Sequence, residues 1–397
     1  MARAPHVLIA GAGIGGLTAA LALLKAGCDV DVYEQAPEPK EVGAGLQLSA
    51  NGTRVFHLLG VAQELQALSC ETSGKEVRLW ASGESWKLFD LGAVSVEKFG
   101  YPYFTVYRPD LLEVLARAVR REKADALHLG AKCTGFSQSE KEVLVKIEDR
   151  PTARADALIG ADGVHSRVRR GLFGEDRPFF TGVMAWRGVI PMAALPARMA
   201  RMVGTNWVGP GGHVIHYPLR GGKLMNFVGA LERADWKVES WSAKGTTAEL
   251  AADYAGWHED VQALIAALPQ PYKWALMTRP PLERWTDGRV SLLGDACHSM
   301  VPFLAQGAVM AIEDGFVLAR CLQAHGAGEG LRRYEGARRE RTQRVVEGSA
   351  ANIQRFHNLV LADSGQARAY VDREWAGARV AERYEWLFRY DASAVPI

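Results

Sequence analysis

Gly11, Gly13 and Gly16 stand in the run GAGIGG with the spacing G-x-G-x-x-G, and Glu34 follows 18 residues after the last of them. This combination can hold the pyrophosphate of a dinucleotide. The first glycine permits a tight turn, the second lets backbone approach the phosphates, and the third lets a helix pack closely on a strand. A carboxylate at Glu34 can accept hydrogen bonds from both hydroxyls of an adenosine ribose and would repel a 2′-phosphate, which favours FAD or NAD over NADP. A second constellation lies in RVSLLGDACHSMVPFLAQGAVMAIEDG, residues 289–315. There an apolar strand ends at Asp295, a position where α/β sheets place ligands, and a helix begins after Gln306. Asp295 can accept from a polyol hydroxyl, and the N–H groups near Gly307 and Ala308 can stabilise partial negative charge. A flavin offers both targets, in its ribityl chain and in a pyrimidine carbonyl that gains anionic character on reduction. NAD has no ribityl chain.

The elements that must position these groups are legible around them. HVLIA is β-favouring, the helix from residue 14 to about 25 aims its N-terminal N–H groups at the phosphate, and CDVDVYE makes the second strand. Residues 7–24 form an uncharged run of membrane-span length, but four glycines cut it, so it reads as strand, turn and helix. A Pro- and Gly-rich loop follows Gln35, and a helix starts at about residue 50. YRPDLLEVLARAV is amphipathic, with Pro109 near its start and Asp110 in its first turn. Residues 126–163 alternate as a small antiparallel meander and end in ALIGADG, a buried strand running into Asp162. MAWRGVIP, GGHVIHYPLR and KLMNFVGAL read as antiparallel strands of a second sheet. Helix-forming sequence runs from about residue 306 to the C-terminus, with a break near GAGEG.

A chain of 397 residues can bury a full core without staples, and its 48% hydrophobic and 23% charged content is ordinary for a globular protein. A net charge of +2 gives no electrostatic reason to expect nucleic acid or a membrane surface. The cysteines at 28, 70, 133, 297 and 321 are odd in number, contain no C-x-x-C and fit no zinc spacing, so no metal is expected. Reduced thiols in a cytoplasmic protein are the reading.

Taken together, GxGxxG with Glu34, the Gly-Ala-Asp-Gly stretch at 160–163 and GDACHSMVPFLAQGA resemble the class A, single-component flavoprotein aromatic hydroxylases, in particular the salicylate hydroxylase and 3-hydroxybenzoate 6-hydroxylase group. The resemblance extends over nearly the whole chain, including MAWRG at 184–188 and the terminal YEWLFRYD. It implies an α/β fold: a Rossmann-like FAD-binding domain of the p-hydroxybenzoate hydroxylase type with an inserted β-rich substrate domain and C-terminal helices. The expected division is 1–75, 100–180 and 280–345 for the discontinuous FAD-binding domain, 76–99 and 181–279 for the substrate domain, and 346–397 for a C-terminal helical region. By matching motif, Gly11, Gly13 and Gly16, with Ile14 and Gly15 between them, would hold the FAD pyrophosphate. Glu34, with Gln35 beside it, would hold the ribose, and Gly45 would approach the cofactor from the following loop. Arg108 resembles an arginine that pairs with FAD phosphate, the alternative being a solvated charge at a helix start. Asp162 would serve both FAD and NAD(P)H, Asp295 the ribityl and pyrophosphate region, and Gly307 and Ala308 the isoalloxazine. Where the family usually has proline after the histidine, this chain has Ser299, which restores a backbone donor and loosens φ.

The implied chemistry is reduction of FAD by NADH or NADPH, addition of O₂ to give a flavin C4a-hydroperoxide, and oxygen transfer to a phenolic aromatic acid of the salicylate or 3-hydroxybenzoate type. A base near the phenol hydroxyl is then expected. On a strand of period two, His213, Ile215 and Tyr217 share one face and His216 the other. His213 resembles the phenol-activating histidine and Tyr217 a substrate-positioning hydroxyl. The Gln306 amide is placed to orient substrate or peroxide. His298 reads as a loop brace, and Arg187 as a structural ion pair ahead of a carboxylate ligand. Two other readings share these residues: a flavin reductase or dehydrogenase that transfers no oxygen, and a non-catalytic FAD-binding protein. Trp375, Tyr384, Trp386 and Phe388 stud the terminal helices and suggest a homodimer contact.

Overall fold

A computed structural model describes residues 4–38, 44–233, 235 and 243–397. The strand His6–Ala10 is the centre of a six-stranded sheet, with Asp29–Tyr33 parallel on one side and Ala157–Gly160 parallel on the other. Val290–Leu292 extends the sheet in parallel and Thr286–Asp287 closes that edge antiparallel. The strands His6–Ala10, Ala157–Gly160 and Val290–Leu292 are largely buried because helices and the antiparallel meander between them cover both faces. The helix Ile14–Lys25 packs on one of them against the long helix Gly307–Phe356, which the left-handed Gly326 kinks at the expected break. Residues 7–24 are therefore a strand and a helix. Among the described residues, no helix is long and apolar enough to cross a membrane.

The second sheet has seven strands in the order Tyr272–Thr278, Phe179–Pro191, Leu224–Glu232, Gly212–Leu219, Val203–Gly209, Gly74–Leu79 and Ser85–Asp90. One face is buried under the helices Thr247–Asp253 and Glu259–Ala267, through Trp186, Trp207, Val214, Phe227 and Tyr254. The other, inner face turns Lys75, Asn206, His213, Tyr217 and Asn226 toward the rest of the molecule. Strand register makes that assignment: Tyr217 pairs with Asn226 and His213 with Ala230, while His216 pairs with Phe227 on the outer face.

Two local expectations change. Leu127–His128, assigned to the meander, instead joins the central sheet parallel to Val32–Tyr33; the meander itself is Cys133–Gln138, Val143–Ile147 and Ala153–Ala155. The single helical stretch after residue 246 is two helices, broken before His258. The loop expected after Gln35 lies partly, at 39–43, outside the described residues. The aromatics expected to offer a dimer contact are used within the chain. Trp375 stacks on Phe356, Tyr384 and Phe388 pack on Phe89, and the Arg344 guanidinium sits 3.8 Å over Trp386. All five cysteines are free thiols, four of them buried.

Candidate active site

The glycine spacing is enforced by contacts. Gly11 has φ +107°, and a Cβ there would lie 2.4 Å from the Ala161 carbonyl oxygen; a Cβ on Gly16 would lie 2.0 Å from the Gly11 oxygen. Gly15 is pinned between Leu293 and Ala311. Gly13 differs: a Cβ there would meet no atom within 4 Å, and as N-cap of Ile14–Lys25 it offers no capping side chain. The first intrahelical bond runs from Leu17 N to Gly13 O, so the N–H groups of Ile14, Gly15 and Gly16 have no acceptor within the helix. This is a cradle of backbone donors shaped for phosphate, and it fits the pyrophosphate of FAD.

Glu34, at the end of the second strand, accepts from Ala12 N and Ala36 N at 2.8 Å each. It thereby ties the glycine loop to the strand end, with a lone pair left on each oxygen. Gln35 beside it is exposed. Asp162 lies against Gly11, but its carboxylate is held by its own chain. It accepts from Ser166 Oγ at 2.5 Å and from Arg167 N at 2.7 Å, bracing the start of the helix Arg167–Phe173, and burial raises its pKa.

Asp295 opens the one-turn helix Asp295–His298 just beyond the strand Val290–Leu292. It keeps accessible surface, yet enough protein surrounds it that burial raises its carboxyl pKa, with His298 and Arg108 pulling the other way. Arg108, the first residue of Arg108–Glu122, is thus within electrostatic reach of Asp295 although 187 residues apart in sequence. The backbone at Arg108 is anchored to Ala44 O. Gly45 presses on the second sheet, where its N–H donates to Asn226 Oδ1 at 2.7 Å and its α-carbon leaves no room for a Cβ beside Tyr217.

The turn before Gly307 is built from buried polar groups. Gln306 Nε2 donates to Ser49 Oγ at 3.0 Å, and its Oε1 accepts from Asn51 Nδ2 at 3.1 Å. Asn51 also donates to Glu313, which pairs with Arg338 and Arg341. Both ends of the Gln306 amide are committed to protein, so it fixes the turn from which Gly307 and Ala308 present their N–H groups. Ala305, just before it, is held left-handed at φ +54°. His298 braces the loop from behind: its Nε2 lies 2.6 Å from Asp314 Oδ2, and although burial opposes charge on the ring, Cys297 and Asp314 raise its pKa well above 6.5. Ser299 has φ −55°, a value that a proline ring also adopts, and its Oγ is buried with no partner among the described residues.

On the inner face of the second sheet, His213 is 1% exposed and burial holds its pKa well below 6.5. Its Nδ1 lies 2.7 Å from His357 Nε2. Tyr217 is buried beside Asn226, whose Nδ2 has no partner among the described residues; Asn206 Oδ1, on the next row, likewise has none. Orphaned buried polar atoms on one face call for a polar ligand. Lys75 is in this row too: Cγ of Lys75 and Cβ of Tyr217 flank Gly204, at 3.5 and 3.9 Å from a Cβ built there. Its ammonium lies 5.1 Å from the centre of the Tyr103 ring and 5.8 Å from that of Phe89. No carboxylate of the described residues pairs with it, and burial lowers its pKa to about 7. Arg187 is buried on the same face, with its guanidinium 4.8 Å from the Trp274 ring. His216, on the outer face, sits near Glu76 and Arg78, away from these groups.

The fold thus gathers Gly11–Gly16, Asp295, Arg108 and Gly307–Ala308 at one end of the central sheet, and through Gly45 sets this end against Tyr217. Lys75, Asn226 and His357 were not singled out from the sequence. Lys75 had a signal, a lysine alternating with Val77 and Leu79 on an apolar face; His357 had none.

A family model described as an FAD binding domain matches residues 5–349. A 3-amino-4-hydroxybenzoate 2-monooxygenase of Streptomyces platensis is 38% identical, with 98% of this chain and 97% of that protein covered. A 3-hydroxybenzoate 6-hydroxylase of Polaromonas naphthalenivorans is 34% identical over 97% and 96% of the two chains. The crystal structure of Klebsiella pneumoniae HpxO complexed with FAD and uric acid superposes with a TM-score of 0.83 at 28% identity, covering 99% of this chain and 97% of that one.

Proposed function

The chain belongs to the FAD-binding-domain family and is a single-component, flavin-dependent aromatic monooxygenase; from that premise we propose that its substrate is a phenolic aromatic acid and its reductant NADH or NADPH. The observation that carries the acid is Lys75, an ammonium without a carboxylate partner among the described residues, in the same row as Tyr217 and Asn226. A substrate carboxylate arriving there would both pair with Lys75 and restore its charge.

FAD, when bound, supplies the electron carrier and the carbon at which O₂ is activated. The remaining roles are those of this chain's own residues. The glycine loop from Gly11 to Gly16 and Arg108 would hold the pyrophosphate, Glu34 the adenosine ribose, and Asp295 the ribityl chain. Gly307 and Ala308 would offer their N–H groups to the flavin's pyrimidine end, where they could stabilise partial negative charge. Gln306 positions that turn. Asp162 holds the adjoining helix start and Gly45 the seam between the sheets. Lys75 anchors the substrate acid, Tyr217 and Asn226 orient the ring, and Nε2 of His213 takes the phenol proton, which raises the electron density of the ring at the carbon to be hydroxylated. The division into an FAD-binding domain at 1–75, 100–180 and 280–345 and a substrate domain at 76–99 and 181–279 is part of this reading.

Salicylate, 3-hydroxybenzoate and 3-amino-4-hydroxybenzoate each carry an acid and a phenol. The test is NADH and NADPH oxidation by the purified flavoprotein with each of them, with product identified chromatographically. Stimulated oxidation that yields one hydroxylated product per reductant supports the reading and chooses the substrate. Stimulation only by uncharged phenols would sink the acid assignment.

A further inference from the structure

His213 does not end in a wall of apolar side chains. Its Nδ1 lies 2.7 Å from Nε2 of His357, and Nδ1 of His357 lies 3.1 Å from Oε1 of Glu232. The two rings are 1% and 3% exposed, whereas the Glu232 side chain is half exposed. We propose that Glu232, His357 and His213 form a proton relay from solvent to the substrate phenol. The proposal rests on the reading that His213 is the base, and it extends that reading to two residues with no contact to the ring.

The relay has a direction that hydrogen-bond chemistry fixes. An ionised carboxylate only accepts, so His357 must carry its proton on Nδ1 to donate to Glu232. Its Nε2 is then an acceptor, and His213 must donate from Nδ1. The lone pair of His213 is thereby left on Nε2, the atom free to take a proton. One exposed carboxylate selects the tautomer of a base two hydrogen bonds away. The groups that act on the two rings are each other and Glu232; burial lowers the pKa of both rings, with Glu232 opposing it at His357. The backbone is pinned to match: Gly211 N donates to His357 O, and Glu232 N donates to Gly211 O. Phe303 and Phe356 flank His213 edge-on at 4.9 and 5.1 Å, so the rings are held in register.

The step balances. The substrate O–H proton passes to His213 Nε2, the Nδ1 proton of His213 passes to His357 Nε2, and the Nδ1 proton of His357 passes to Glu232 and on to water. A phenolate remains in the site, its proton has gone to water, and neither ring is left charged. The reverse sequence reprotonates the product and resets both tautomers.

The experiment uses FAD-loaded enzyme and whichever of salicylate, 3-hydroxybenzoate or 3-amino-4-hydroxybenzoate most stimulates NADH oxidation. Phenolate formation on mixing is followed by ultraviolet stopped-flow absorbance in His213→Ala, His357→Phe and Glu232→Gln, together with KM, kcat and flavin content. The expected result for His357→Phe is phenolate formation at least ten times slower, lower kcat, unchanged KM and partial rescue by added imidazole. Glu232→Gln, a half-exposed change that the fold tolerates, is expected to slow the same step several-fold. Loss of the step in His213→Ala with wild-type rates in the other two overturns the relay and leaves the base assignment standing. Wild-type rates in His213→Ala overturn both.

Discussion

Asp314 Oδ2 lies 2.6 Å from His298 Nε2, and the opposite oxygen of the same carboxylate lies 2.7 Å from Arg338 Nε. All three groups are buried. The pair fastens the loop that carries Asp295 to the helix that begins at Gly307. Removing one partner of a buried charge pair leaves the others uncompensated, which costs about 3–5 kcal/mol. Asp314→Asn is expected to lose that much in urea denaturation of the FAD-loaded enzyme.

The same pair sets a pH dependence. The His298 pKa is raised above 6.5, so its stabilisation is complete below 6.5 and is lost as pH rises through the folded-state value. The Asp314 pKa is lowered below 3.8, so its stabilisation is complete above 3.8 and is lost as pH falls through the folded-state value. The destabilisation by Asp314→Asn is therefore expected to be largest between pH 4 and 6.5 and to shrink on both sides. Equal effects at pH 6 and pH 9 would show that His298 is not charged.

Gly13 and Gly16, three residues apart, make a second contrast. Gly16→Ala must displace the Gly11 carbonyl, 2.0 Å from the new Cβ, and is expected to lower the melting temperature of the apoprotein. Gly13→Ala meets no protein atom, so the apoprotein is expected to melt as wild type while the FAD dissociation constant rises at least tenfold. Fluorescence titration with FAD and apoprotein melting separate the two effects.

Lys75→Met is expected to raise KM for a phenolic acid by about 10- to 150-fold, the worth of a charge-assisted hydrogen bond, and to leave KM for the matching uncharged phenol unchanged. Because the Lys75 pKa is lowered to about 7, the free enzyme must take up a proton to pair with a carboxylate above that pH. KM for the acid is expected to rise about tenfold per pH unit above pH 7 in the wild type and to stay flat in Lys75→Met. A flat wild-type profile would remove Lys75 from the acid site.

Gln306→Leu breaks bonds to Ser49 and Asn51 and leaves one Asn51 N–H in the interior without an acceptor, while Ser49 keeps its bond to Asn51 Oδ1, at a cost of about 1–3 kcal/mol. Its signature is weaker flavin binding and a lower melting temperature together. A normal melting temperature with a defect confined to kcat would instead restore Gln306 to direct contact with substrate.

By itself the sequence located the candidate nucleotide half of the site. Gly11, Gly13, Gly16, Glu34 and Asp295 were singled out by backbone shape and strand ends, which are local properties that spacing along the chain records. The period of GGHVIHYPLR likewise separated His213 and Tyr217 from His216, because side chains alternate across a strand whatever it pairs with. Tertiary structure alone decided the company these residues keep. His357 comes 144 residues after His213, and Asn226 comes 181 residues after Gly45; nothing local links either pair. The terminal aromatics show the same division, since their apolar character was plain but the ring that Tyr384 and Phe388 meet within the chain, Phe89, depended on where the last helices return. Backbone conformation is set by neighbours in sequence, whereas hydrogen-bond partners and burial are set by neighbours in space, and only folding brings those together.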